Sequence, residues 1–283
     1  MDKILVPIDF SASSDWGFYY AYEMAKKFNA TLIALHLYTS PYLEPSMPAN
    51  MIQSMLEETE ATMLVHLKQS TQPSLLQQAQ ENENPVKVEY IVEPYTLSSI
   101  TNVAERLDVD LIIMGTHGAD KAWDKVWGTN TSNVINQAPC PVLAIPSQNE
   151  FKGLNNLAYA TDYSIEDIPN IIQLAHFAEK VDAKVHCVHI NMIGKEDKTK
   201  RAILFKEALE KQVDKNLLSR ITVSVRSSVT VEDGLETFLR INKIDILSML
   251  THKRSLWEKI TNNKSITQSM AMRARTPLLA FHK

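Results

Sequence analysis

Short apolar runs alternate with amphipathic stretches along the whole chain. Residues 4–8, Ile-Leu-Val-Pro-Ile, form a continuous apolar run, the pattern of a strand buried on both faces. Residues 13–28 place Trp16, Tyr19, Tyr20, Met24 and Phe28 at helical spacing. Strands are predicted at 31–37, 86–92 and 111–114, and a last one at 142–145. Helices are predicted at 97–107 and 129–137, the second stopped by Pro139. Such alternation implies an α/β fold, a parallel sheet with helices on both faces. Right-handed crossovers leave few topologies. The reading chosen is a doubly wound five-stranded sheet in the order 3-2-1-4-5.

The pattern occurs twice. Asp9 and Ser11, after Lys3-Ile-Leu-Val-Pro-Ile, match Asp162 and Ser164 after Asn156-Leu-Ala-Tyr-Ala-Thr. His36 in Leu-His-Leu matches His189 in Val-His-Ile. Asp110-Leu-Ile-Ile-Met-Gly-Thr-His117 matches Asp245-Ile-Leu-Ser-Met-Leu-Thr-His252, and Pro141-Val-Leu-Ala-Ile145 matches Pro277-Leu-Leu-Ala-Phe281. The matches keep their order, which marks a duplication. Two domains are expected, 1–148 and 153–283, each a doubly wound five-stranded parallel sheet. The first copy is longer in the middle, between Thr39 and Pro85. There, 51–69 has helix-forming composition, and the Pro-rich segments 40–48 and 72–78 are expected to be loops at its ends.

Composition narrows the function classes. A chain of 283 residues with 45% apolar and 22% charged residues is an ordinary globular chain. No apolar run reaches the ~18 residues that a membrane helix needs, so no membrane role is expected. The net charge of −4 offers no electrostatic case for nucleic acid. The chain opens Met-Asp-Lys and runs straight into the first strand, so no leader is expected. Its two cysteines, Cys140 and Cys187, are not spaced as a metal or redox pair. A cytoplasmic protein is the expectation.

The seven glycines are few for this length, yet Gly115, Gly118 and Gly128 fall close together. They follow the fourth strand and end on a helix beginning at Thr129. In a doubly wound sheet, ligands sit beyond the carboxyl ends of the strands at the switch point, here between strands 1 and 4. Bare backbone N–H groups in such a loop, and the helix amino end, attract an anion such as phosphate. Thr129 and Thr131 add hydroxyls; Thr129 is either a ligand contact or a helix N-cap. Asp9, at the end of strand 1, either hydrogen-bonds a ribose hydroxyl or adenine amine, or caps the next helix. His117 either meets phosphate or is a polar loop residue, and Trp123 and Trp127 either stack on a base or merely pack. His36 and His189 occupy strand positions and are expected in the core.

These residues resemble the universal stress protein family. Val6-Pro7-Ile8-Asp9 matches its strand motif, and Gly115…Gly118…Gly128-Thr129 matches the G-x2-G-x9-G-(S/T) spacing of its nucleotide-binding members. The likeness spans nearly the whole chain, as two copies. It implies a Rossmann-like fold that binds an adenine nucleotide, ATP with or without Mg2+. It places Pro7, Ile8, Asp9 and Leu37 against adenosine. It places Met114, Gly115, His117, Gly118, Gly128, Thr129, Asn130 and Thr131 against phosphates and ribose. Thr129 stands where serine is commoner, and Glu93-Pro94 where Gly-x-Pro is frequent.

In the second copy the three glycines are replaced by Leu250, Lys253 and Lys264. Ser265, Thr267 and Asp162 remain. That copy is expected to be free of nucleotide, its lysines either in solvent or holding a small anion. The resemblance also implies pairing through the last strand. In a tandem chain the two halves are expected to dock through these strands as a pseudo-twofold pair, with homo-oligomers allowed but not required. The leading expectation is a nucleotide-dependent stress regulator or sensor. A slow ATPase or nucleotidyl transferase, and a nucleotide-free interaction scaffold, are the alternatives.

Overall fold

The computed structural model describes residues 1–42, 44, 46–79, 85–95, 99–116, 129–147, 149–193, 199–250 and 276–281. They fall into two compact units, the first made of residues 1–116 and 130–147 and the second beginning after Ser147. The first unit runs β1 (Lys3–Pro7), α1 (Ala12–Phe28), β2 (Thr31–Tyr38), α2 (Ala49–Ala79), β3 (Val88–Pro94), α3 (Ile100–Leu107), β4 (Leu111–Thr116), α4 (Thr129–Gln137) and β5 (Val142–Pro146). Its strands are all parallel, in the order β3-β2-β1-β4-β5. The doubly wound 3-2-1-4-5 sheet expected from the sequence is therefore present.

Local chemistry sets the ends of these elements. Ser11, extended at φ −84°, caps α1 by accepting from the Ser14 amide. Asn29, in the left-handed region at φ 52°, closes it, and Ala30 N donates to Ala25 O. Phe18, Ala21, Met24 and Ala25 are buried from α1, and β1 and β2 bury residues on both faces. Burying a large apolar side chain contributes about 2 kcal/mol, so this sandwich is the main source of stability. Ser99 caps α3, which starts at Ile100 rather than at residue 97 because Ser99 itself is extended, at φ −129°.

The long middle of the first copy departs from expectation. One helix, α2, runs from Ala49 through Ala79 and includes Pro73, where a loop was expected. Proline removes one intrahelical hydrogen bond, but the residues after it, Leu75, Leu76, Gln77, Gln78 and Ala79, are strong helix formers. Just before it, the Ser70 and Thr71 hydroxyls donate to carbonyls of the preceding turn, Leu67 and Lys68.

The second unit repeats the plan: β6 (Asn156–Ala160), a 3-10 turn (Ile165–Asp167), α5 (Ile168–Lys180), β7 (Lys184–Met192), α6 (Thr199–Glu210), α7 (Lys215–Leu218), β8 (Ile221–Ser228), α8 (Val231–Ile241), β9 (Ile246–Leu250) and β10 (Leu278–Phe281). Its strands are parallel in the order β8-β7-β6-β9-β10, the same 3-2-1-4-5 arrangement. One aspartate per unit pins the start of the first strand. Asp110 Oδ2 accepts from the amides of Asp2 and Lys3, at 2.6 and 3.0 Å. Asp245 Oδ2 accepts from Asn155 and Asn156, at 2.7 and 2.9 Å.

The units differ where the first helix meets the fourth strand. In the first unit α1 lies on β4 backbone to backbone. A Cβ on Gly17 would stand 2.6 Å from the Gly115 amide nitrogen, and one on Gly115 only 1.6 Å from the Ser13 carbonyl oxygen. Gly115 therefore belongs to β4, not to a loop after it, and its missing side chain makes room for α1. Leu250 and Asn170 hold the corresponding positions in the second unit. Next to Asn170 lies a buried polar group: Asp167, 2% exposed, accepts from Thr161 Oγ1 at 2.6 Å and Tyr159 OH at 3.3 Å. Asn170 Nδ2 donates to Tyr159 OH at 3.4 Å.

Gly115→Ala tests the contact. Its Cβ meets backbone, which cannot step aside as a flexible side chain can, so the first unit should lose about 3 kcal/mol. Urea denaturation monitored through Trp16 measures this; a loss under ~0.5 kcal/mol would mean that α1 can slide.

Candidate functional site

The residues expected to meet a nucleoside gather at the carboxyl ends of β1, β2 and β4. Pro7 ends β1 and pairs with Leu35 of β2; Leu37 lies two residues farther along β2. Ile8 is buried, and its amide donates to Leu35 O at 2.8 Å. On the other side β1 pairs with β4, Leu5 opposite Ile112, so Met114 and Gly115 lie at the same end of the sheet. Met114 is buried. Thr116 follows, its hydroxyl donating to Ile145 O at 3.1 Å, while the Ser147 hydroxyl donates to Thr116 O at 2.8 Å. These bonds tie the ends of β4 and β5 together.

Asp9 is exposed at the turn from β1 into α1. Its Oδ1 accepts from the Ser11 amide at 3.0 Å and the Ser11 hydroxyl at 2.5 Å. The same Ser11 hydroxyl accepts from Ser14 N, so Asp9 supports the cap of α1 rather than being the cap. Partial burial raises the Asp9 carboxyl, but the bonds from Ser11 and Ser14 outweigh it and leave it below its ordinary value. Asp15, in the first turn of α1, has its carboxyl raised by burial and then by the Asp9 charge. Two carboxylates thus occupy the amino end of α1. They favour hydrogen-bond donors, such as sugar hydroxyls or an exocyclic amine, and repel phosphate.

An anion would instead find the amino end of α4. That helix begins at Thr129, which makes Thr129 its first residue rather than its N-cap, and Asn130 follows. Thr131 is buried. His117, Gly118 and Gly128 lie outside the described residues, as do Trp123, Trp127, Lys253, Lys264, Ser265 and Thr267. Among the described residues no three His, Cys, Asp or Glu side chains gather as a metal cage. Both cysteines are buried; burial pushes the Cys140 thiol up to about 12 and raises Cys187 as well, so neither is a thiolate at neutral pH.

The sequence reading missed several residues that shape this end of the sheet. Gly17 was visible as a lone glycine inside a helical pattern, a mark of close packing. Ser13 lies against Gly115 and its hydroxyl is 3.4 Å from that of Ser147. His36 and His189 are buried as expected, but each also bonds the end of a strand: His36 Nδ1 to Ile8 O at 2.7 Å, and His189 Nδ1 to Thr161 O at 2.8 Å. The equivalent end of the second unit holds a small pocket lined by Ala160, Thr161, Asp162, His189, Ile190 and Met249 under Val231 and Leu235 of α8.

The coupling of the two carboxylates is testable. Asp9→Asn removes the charge that helps raise Asp15 and leaves its burial in place. Asp15 should then titrate lower than in the wild type but still above its ordinary 3.8. A raised value means that the folded chain holds the proton more tightly than the unfolded one. The Asp15 contribution to stability therefore grows as pH falls, and less so in the variant. Carboxyl carbon NMR titration measures both; an unmoved Asp15 would show that burial alone sets it.

Comparison with known proteins agrees with the fold. The family model described as "Universal stress protein family" matches residues 1–146. Universal stress protein A homolog 1 of Coxiella burnetii is 30% identical over 146 residues, which are 50% of this chain and 94% of that protein. A Methanocaldococcus jannaschii universal stress protein is 29% identical over 149 residues, 50% of this chain and 81% of its own length. Among solved structures, a universal stress protein from Archaeoglobus fulgidus superposes with a TM-score of 0.67 at 17% identity, covering 99% of this chain and 98% of its own. With the motif-bearing strand ends and the matched family model on one unit, and the fold shared along the whole length, this chain belongs to the universal stress protein family.

Proposed function

We propose that the first unit binds ATP at the carboxyl ends of β1, β2 and β4, and that the second unit does not. The observation that carries this reading is the convergence of Pro7, Ile8, Asp9, Leu37 and Met114 at one sheet end. Two carboxylates stand there on the nucleoside side, and a helix amino end follows β4. The G-x2-G-x9-G-T spacing joins β4 to that helix, and bare backbone there suits phosphate. In this reading Pro7, Ile8 and Leu37 form the apolar surface for the base, and Asp9 accepts from the ribose or the adenine amine. Met114, Gly115, His117, Gly118, Gly128, Thr129, Asn130 and Thr131 bound the ribose and the phosphates. In the second unit Leu250 takes the place of Gly115, and the sequence has lysine at 253 and 264 in place of the other two glycines.

The protein acts in the cytoplasm as a nucleotide-dependent stress regulator. Isothermal titration should find one ATP per chain, and Gly118→Lys, which copies the second unit, should abolish it. Two equivalent sites, or unchanged binding in that variant, would overturn the reading. A single-turnover assay separates regulator from enzyme: loss of the γ-phosphate that disappears in Asp9→Asn would make the protein a slow ATPase instead.

We also propose, from the sequence repeat, that the two halves pair through their last strands, β5 and β10. Each is the last strand in its own unit's order and apolar along its length, and an unpaired apolar edge invites aggregation. Hydrogen exchange tests the pairing: the outward amides of both strands should be protected, and fast exchange in either rejects it.

A further inference from the structure

Phe10 follows Asp9 in a left-handed backbone conformation, φ 62°. An aromatic residue holds that conformation only where its surroundings over-determine it. Two rings do so here. The Phe10 ring lies 4.3 Å from His36, and 4.1 Å from His66 of α2, stacked at 23°. His36 is buried, and its Nδ1 stands 2.7 Å from Ile8 O. A carbonyl oxygen only accepts, so Nδ1 carries the proton and donates. One imidazole therefore holds residue 8 by a hydrogen bond and residue 10 by ring contact. The residue between them is Asp9.

The second unit repeats this clamp with different side chains. Tyr163 has φ 65°, and its ring lies 4.8 Å from His189 and 5.4 Å from Phe205 of α6. His189 Nδ1 donates to Thr161 O at 2.8 Å, and Asp162 lies between the two held residues. Ser164 N donates to Asp162 Oδ1 at 3.1 Å, as Ser11 N does to Asp9. That copy has lost the glycine spacing and kept the clamp. The clamp thus belongs to the turn that presents the aspartate, and does not depend on the glycine loop.

We propose that His36 is a positioning residue for nucleoside binding: by holding Ile8 and Phe10 it aims the Asp9 carboxylate into the crevice, and through Phe10 and His66 it ties α2 to that turn. This rests on the ATP reading of the first unit. Without the Nδ1 donor the Ile8 carbonyl loses its partner, the His66 ring is left to hold the left-handed Phe10, and the Asp9–Ser11 bonds loosen. In the intact clamp the position of α2 is linked to occupancy of the nucleoside site, because both act on the same turn.

The test uses the full chain and two readouts. His36→Leu keeps bulk and removes the donor; His36→Asn puts an amide N–H close to the place of Nδ1. His36→Leu should weaken ATP binding about tenfold, the scale of one buried hydrogen bond and the ordering it enforces. The Asp9 carboxyl, followed by carbon NMR, should move up toward its ordinary value in that variant. His36→Asn should recover most of both. Asp15 is present in every variant, so its field cancels from the comparison. His189→Leu makes the same change in the second unit and should lower the melting temperature without altering ATP affinity.

The proposal falls if His36→Leu binds ATP like the wild type with Asp9 unmoved. It also falls if His36→Asn melts like the wild type yet binds as poorly as His36→Leu. A wild-type chain that binds no ATP would reject the proposed function, and the Asp9 titration alone would then decide the positioning role. Should His36→Leu fail to fold, Phe10→Gly accepts the same φ and removes the ring. Wild-type affinity in that variant overturns the proposal, and an affinity about tenfold lower supports it.

Discussion

The backbone of α1 rests on the backbone of β4 through Gly17 and Gly115, and the arrangement of this end of the first unit's sheet follows from that contact. With no Cβ on either side, the amino end of α1 comes down beside the end of β4. Ser13 then reaches both Gly115 and the Ser147 hydroxyl. The turn from β1 into α1 must be short to feed a helix placed so close. Phe10 makes it by adopting φ 62°, and Ser11 starts the helix at once. Asp9, at that turn, is left exposed at the carboxyl end of β1, whose neighbour in the sheet is β4. A single side chain at position 115 would lift α1 and separate the carboxylates from the strand end they border.

The second unit shows what happens when that contact is given up and the frame is kept. Strand order, the aspartate pinning the first strand, and the histidine clamp are all retained. At the helix–strand contact, Asn170 and Leu250 stand where the glycines would be. Beside them Tyr159, Thr161 and Asp167 form a buried hydrogen-bonded group. Such a group is stable only while each member is satisfied, so it restricts further change more than an apolar filling would. Tyr159 is held to its neutral form by burial and by the neighbouring Asp167 charge. Thr161 lies at the centre: its hydroxyl donates to Asp167 and accepts from Tyr163 N, while its carbonyl accepts from His189. The polar core of this unit and its strand-end turn are therefore one network.

The sequence by itself determined the α/β class, the duplication, the strand order and the end of the sheet at which Asp9 and Gly115 lie. Those features follow from apolar runs buried on both faces, from the fixed hand of crossovers, and from the place where such sheets leave a gap. It also marked Asp9 and Gly115 by motif. It could not say why glycine stands at 115. The motif suggested room for a phosphate, whereas the structure has the Ser13 carbonyl in the place of the missing side chain. Nor could it extend α2 through Pro73, since a proline reads locally as a stop and only the residues beyond it outweigh the one lost bond. The role of His36 was hidden for a similar reason. Alternation along β2 places a side chain in the core without saying which carbonyl it meets, and Ile8 is 28 residues away in the chain. Tertiary structure decided these points because each depends on atoms brought together from distant segments, at distances that no local pattern encodes.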